Sequence, residues 1–91
     1  MRRFAVAVSG LDTPEKIHGT MGSILTLPPY YGNNLDALYD VLTDIAKETV
    51  IEIDYEGMTL RALPEITLKA LRVLFDAASA NPCLKIERAG D

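Results

Sequence analysis

The sequence predicts an α/β fold: a small three-stranded parallel sheet packed with three to four helices. Three short apolar runs, around residues 4–8, 49–55 and 83–88, have strand character, and the second is rich in β-branched residues. Between successive runs lie segments whose apolar residues recur at helical spacing and whose ends carry cap and stop signals. Connections of that length do not make hairpins; they make crossovers between parallel strands. Ninety-one residues build one core, because two would leave each half too small to bury enough surface, so residues 1–91 are expected to form a single domain.

Residues 4–8 are apolar on both alternating faces, as in a strand covered on both sides. Thr13-Pro14 supplies an N-cap and a first helical residue, and Ile17, Met21, Ile24 and Leu25 extend a helix to about residue 25. Gly19 and Gly22 weaken it. The run from Thr26 to Asn34 cannot continue a helix, since Pro28-Pro29 stiffens it and Gly32 interrupts it. Asn33 or Asn34 then caps a helix over residues 34–47, with Leu35, Leu38, Leu42 and Ile45 in one apolar stripe. After the strand at 49–55, Glu56-Gly57 makes a turn and residues 58–63 a short helical turn. Pro64 opens a last helix to about residue 80, with Leu68, Leu71, Phe75 and Ala78 facing inward, and Asn81-Pro82 stops it. In the final strand Leu84 and Ile86 share a face.

A hydrophobic share of 48% and a charged share of 24% place the chain among folded domains rather than disordered ones. Thirteen acids against nine bases give a formal charge of −4, which disfavours direct nucleic-acid binding. A single cysteine, Cys83, excludes an internal disulfide framework. The apolar start after Arg2-Arg3 ends at Ser9-Gly10, too short for a signal peptide, and no run approaches the roughly 20 apolar residues of a membrane span. The expectation is a cytoplasmic, monomeric protein.

The acids are not evenly spread. Residues 33–48 carry Asp36, Asp40, Asp44 and Glu48 against Lys47 alone. On a helix Asp36, Asp40 and Asp44 are successive i, i+4 neighbours, and with Tyr39 and Thr43 they form a band away from the leucines. The loop before them holds Tyr30 and Tyr31, and exposed aromatics beside charges suit an interface. A solvated polar face, with the tyrosines folded onto the core, is the alternative.

Catalytic readings fare worse. The Gly32-Asn33-Asn34 segment at a helix start resembles an anion site, but Asp36 opposes a phosphate and no glycine-rich phosphate motif is present. His18 is the only histidine, reads as a solvated surface residue, and has no nearby cysteine for a dyad. Acids confined to one helix make a poor metal cage. Cys83 reads as a small buried residue. Neither enzyme, metal nor cofactor is expected.

Residues 27–43, Leu-Pro-Pro-Tyr-Tyr-Gly-Asn-Asn-Leu-Asp-Ala-Leu-Tyr-Asp-Val-Leu-Thr, resemble the barstar family, which shows L-P-x-Y-Y-G-x-N-L-D-A-L-W-D-x-L-T in the same place. The resemblance implies a bacterial intracellular inhibitor, or toxin-immunity partner, of a barnase-like ribonuclease whose basic cleft receives the loop 27–34 and the acidic helix 34–47. It implies that Asp40 replaces a substrate phosphate among cationic groups, that Asp36 faces the basic rim, and that Tyr30 packs over the active site. The surface so assigned comprises Tyr30, Gly32, Asn34, Asp36, Tyr39, Asp40, Thr43 and Asp44. The partner implied is a basic secreted or toxin-type ribonuclease; the alternative is an acidic module for a non-nuclease basic partner. Three departures stand out. Tyr39 replaces the family's tryptophan, Asn33 stands where an acid is common, and Ala77 aligns with a last-helix Glu that meets the ribonuclease. Asp76 is adjacent but points about 100° away on a helix. The last-helix contact is therefore expected to be missing or rebuilt, with Asp44 compensating and Asp76 left open. If Ala77 lies at the interface rim, Ala77→Glu should strengthen binding.

Overall fold

A computed structural model describes residues 1–29 and 31–90. Strand β1 (Arg2–Ala7) leads through a tight helical turn at Val8–Leu11 into α1 (Pro14–Ile24); α2 (Leu35–Thr43) follows the loop. Then come β2 (Thr49–Asp54), a second tight turn at Leu60–Ala62, α3 (Glu65–Ala80) and β3 (Leu84–Arg88). The strands pair in parallel in the order β1-β2-β3, with Arg2 opposite Thr49 and Thr49 opposite Leu84. The fold class is the α/β arrangement expected, with three α-helices, the low end of the three to four expected.

One face of the sheet is apolar and the other polar. Val6, Ile51, Ile53 and Leu84 join Ile17, Met21, Leu38, Leu42, Leu71 and Leu74 from the helices in one buried cluster. On the other face Arg3 reaches Glu52 Oε2 at 3.0 Å and Glu87 Oε1 at 3.2 Å. Glu52 and Glu87 are in register on adjacent strands, a repulsive pairing that Arg3 neutralises. The expectation that β1 is covered on both sides is therefore corrected. Ala5 is exposed and Ala7 half-buried, and their methyl groups are small enough to face water at little cost. Val50 is buried although it lies on this outer face, where Arg3 and Lys85 flank it in register.

The inward face of α3 also differs from the expectation. Leu71 is buried, but Ala78 is half-buried, Leu68 is 37% exposed and Phe75 46% exposed, while Thr67, Ala70, Leu74 and Ala77 turn inward. Small residues let α3 approach α2 and the turn at Val8–Leu11 closely, and Thr67 is tolerated because its hydroxyl donates to the Leu11 carbonyl at 2.9 Å. Between β2 and α3 the chain reverses at Glu56 and Gly57, both at positive φ, with Met58 N–H donating to Tyr55 O at 2.9 Å. Glu56 holds this unfavourable backbone because its carboxylate accepts from Ser9 N at 2.8 Å and its own N–H donates to Asp54 Oδ1 at 2.8 Å.

Candidate interaction surface on the loop and second helix

The loop starts where Leu25 N–H closes α1 on Met21 O and ends where Asn34 opens α2. Leu27 and Pro28 are half-buried and Pro29 is exposed. Tyr31 N–H donates to Pro28 O at 3.0 Å, and the Tyr31 ring packs against the core. Its phenol oxygen lies 2.6 Å from Nδ1 of His18, the two rings meeting edge to face at 5.4 Å. His18 is therefore a half-buried anchor for the loop rather than the solvated residue expected. Burial lowers its pKa below 6.5, Glu15 opposing, and burial raises the pKa of Tyr31 above 10.0. Tyr30 lies outside the described residues.

Gly32 and Asn33 complete the approach to the helix. A Cβ at Gly32 would sit 2.9 Å from Asn34 Nδ2, which donates to Gly32 O at 3.3 Å, so a side chain there would displace the cap. Asn33 has φ 52°, a left-handed conformation that asparagine adopts more readily than most residues. Asn34 is the N-cap, its Oδ1 accepting from Ala37 N at 2.7 Å.

On α2 the leucine stripe behaves as expected: Leu38 and Leu42 are 0% exposed, with Leu35 half-buried on the same side. Asp36 and Asp40 are exposed, and Asp36 in the first turn is favoured by the helix dipole. Tyr39 and Thr43 are half-buried; Tyr39 packs partly against the core and the Thr43 hydroxyl donates to Asp40 O at 3.0 Å. The helix stops at Thr43, short of the expected residue 47, and Asp44 is its exposed C-cap.

The early stop has a cause that the sequence reading missed. Asn81, buried at the end of α3, points its amide at the end of α2, with Nδ2 donating to Leu42 O at 3.0 Å, Ile45 O at 2.9 Å and Thr43 O at 3.3 Å. Its Oδ1 accepts from Cys83 N at 2.9 Å. These bonds satisfy the carbonyls a helix end leaves orphaned. Cys83 itself is half-buried, its thiol 3.5 Å from Ala46 O, not fully buried as expected.

Among the described residues, Asp36, Asp40 and Asp44 make no ion pair, whereas Lys16, Lys69, Arg72 and Arg3 are engaged with acids elsewhere. Nor, among those residues, do three or more His, Cys, Asp or Glu converge on a point where a metal ion would sit. The arrangement is a set of unneutralised carboxylates on a rigid element beside a pinned loop. It can accept hydrogen bonds from cations.

Residues 1–87 match the family model described as Barstar (barnase inhibitor). The chain belongs to the barstar family. Its three-stranded parallel sheet and helices agree with the expected barstar-like architecture, and barstar-family proteins act as ribonuclease inhibitors rather than enzymes. No helix among the described residues is long and apolar enough to cross a membrane. The condition set for Ala77→Glu, that Ala77 lie at an interface rim, is not met. Ala77 is 0% exposed inside the core, so it is not at an interface rim. Asp76 is exposed and 3.9 Å from Arg72.

Proposed function

We propose that the chain inhibits a barnase-type ribonuclease in the cytoplasm, acting as a monomeric single domain that lays loop 27–34 and the exposed side of α2 across the enzyme's basic cleft. The observation that carries this is the row of unpaired, exposed carboxylates at Asp36, Asp40 and Asp44 on a member of a barnase-inhibitor family. A carboxylate that meets arginine in a water-poor cleft forms short, charge-assisted, often bidentate hydrogen bonds. In this role Asp40 takes the place of a substrate phosphate and Asp36 meets the basic rim. Tyr30, Gly32 and Asn34 supply the loop side of the contact; Tyr39, Thr43 and Asp44 extend it along α2. The cognate enzyme is a basic secreted or toxin-type ribonuclease.

The test is titration of purified chain into an RNA-cleavage assay with the basic ribonuclease captured from the source lysate and medium at low salt. Cleavage should vanish near a one-to-one ratio, and an acidic nuclease should be untouched. Capture of a basic protein that does not cleave RNA, with no inhibition of any ribonuclease, would instead favour an acidic module for a non-nuclease partner.

A further inference from the structure

The tie between Tyr31 and His18 joins the loop to a helix that belongs to the core. His18 sits on α1 beside Ile17 and within one turn of Met21, both 0% exposed, so its position is fixed. Among the described residues of the loop, Tyr31 is the one whose side chain bonds to α1. Only Gly32 and Asn33 separate Tyr31 from the cap Asn34, and Asn34 Nδ2 donates back to Gly32 O at 3.3 Å, closing that link. A shift of Tyr31 therefore passes to the start of α2, where Asp36 and Asp40 begin.

The chemistry of the tie depends on the state of the imidazole. A neutral ring with its proton on Nε2 accepts the Tyr31 O–H at Nδ1. A protonated ring has donors at both nitrogens, so Nδ1 donates and the phenol must turn round to accept, its own proton facing elsewhere. We propose that His18 is a positioning residue for the partner-binding loop, and that protonating its imidazole reverses the bond that sets Tyr31 and weakens binding to the ribonuclease. The inference rests on the function proposed above. The titratable neighbour from the loop is Tyr31. On α1 it is Glu15, which lines an open cleft of about 510 Å³ with Pro14, His18, Gly19 and Asn33 and favours the protonated ring. Burial disfavours the charge more strongly, so the ring enters the acidic range neutral and the tie is intact at neutral pH. A cation at His18 would also repel a basic partner, an effect of the same sign.

The experiment measures affinity for barnase between about pH 7.5 and pH 5, the window in which histidine changes charge. Because barnase has titrating groups of its own, the quantity read is the difference between the wild type and His18→Gln, whose amide oxygen accepts from Tyr31 and does not titrate. Wild type should lose about fivefold more affinity than His18→Gln across that range, the low end of ordinary coupling between a switch and a binding site. His18→Gln should keep most of the neutral-pH affinity. Tyr31→Phe should be weaker at neutral pH and fall between the two profiles, since its His18 still gains a charge. Parallel pH curves for wild type and His18→Gln overturn the proposal and leave the inhibitor reading standing. A folded wild type that binds neither barnase nor any captured basic ribonuclease at neutral pH overturns the inhibitor reading, and this one with it. Should His18→Gln fail to fold, NMR titration of the wild-type ring decides: it must titrate at lower pH in the complex than in the free chain, and an unchanged titration overturns the proposal.

Discussion

Asp36, Asp40 and Asp44 have the same chemistry and closely similar surroundings, so each controls for the others. If Asp40 is buried against cations on binding, Asp40→Ala should cost about 3–5 kcal/mol of affinity, because truncation strands the opposing charges. Asp36→Ala should cost less. Asp44→Ala, at the helix end, should cost under about 1 kcal/mol, as for an exposed pair. Thermal melts of all three should stay level or rise, since each change relieves like-charge neighbours. Titration calorimetry beside the melts checks this, and equal small losses would reduce α2 to a general acidic face. Exposure of these acids was legible in the sequence because helical spacing sets them opposite Leu38 and Leu42. The partners of His18 and Asn81 were not. Tyr31 lies 13 residues from His18, and Leu42 lies 39 from Asn81, and no local pattern marks so distant a bond. Asn81 before a proline reads as a stop for its own helix, whereas its amide caps a different one. Asn81→Ala should therefore cost about 1–3 kcal/mol of folding stability by orphaning buried carbonyls. Asn81→Asp should be no better, despite its shape, because a carboxylate cannot donate to them. Urea unfolding of the two variants is the check; a stable Asp variant would mean shape and not donation holds the end of α2.

The strands and α-helices were read correctly in kind and order, while the helical turn at Val8–Leu11 was not read and the inward faces of the helices were read least well. Caps and breakers are local, so Thr13, Pro14, Asn34 and Pro64 marked their helices well. The rotation of a helix depends on what it packs against. Hydropathy puts the largest apolar residues of α3, Leu68 and Phe75, inside. Close approach to α2 instead selects Ala70 and Ala77, and a satisfied hydroxyl admits Thr67. The same contact forbids restoring the family acid at the aligned position. Ala77→Glu should destabilise the fold by at least about 3 kcal/mol, from overpacking and an unpaired buried charge, with no gain in affinity. Denaturant midpoints and binding of the folded fraction test this, and a stable variant with stronger binding would return Ala77 to the interface.

At the scale of the whole molecule, three parallel strands were legible because three apolar runs alternate with helical segments. The bare outer face of the sheet was not, because alanines at 5 and 7 suit either a covered or an open face. Two global responses follow from how charge is placed. His18 has a folded pKa below its ordinary 6.5, so below that value the unfolded chain binds more protons. Its contribution is present above pH 6.5 and is lost as pH falls through the lowered folded value. Wild type should lose more stability than His18→Gln between neutral and mildly acid pH, and parallel melting curves would contradict this. Salt provides the last prediction, and its force lies in two opposite signs. The chain carries −4, with Asp36, Asp40 and Asp44 unpaired on one short element. Charges separated by more than about 10 Å are largely screened at 0.1 M ionic strength. Steering of a basic partner acts over such distances, so the association rate should fall steeply as salt rises while dissociation changes little. Within the free chain the same screening weakens repulsion along α2, so thermal stability should hold or rise slightly over that range. Stopped-flow association and thermal melts in matched buffers read both slopes. An association rate indifferent to salt would remove the acidic face from recognition. A melting temperature that falls with salt would mean that the surface ion pairs, such as Arg3 with Glu52 and Glu87, outweigh repulsion on α2 in holding the fold.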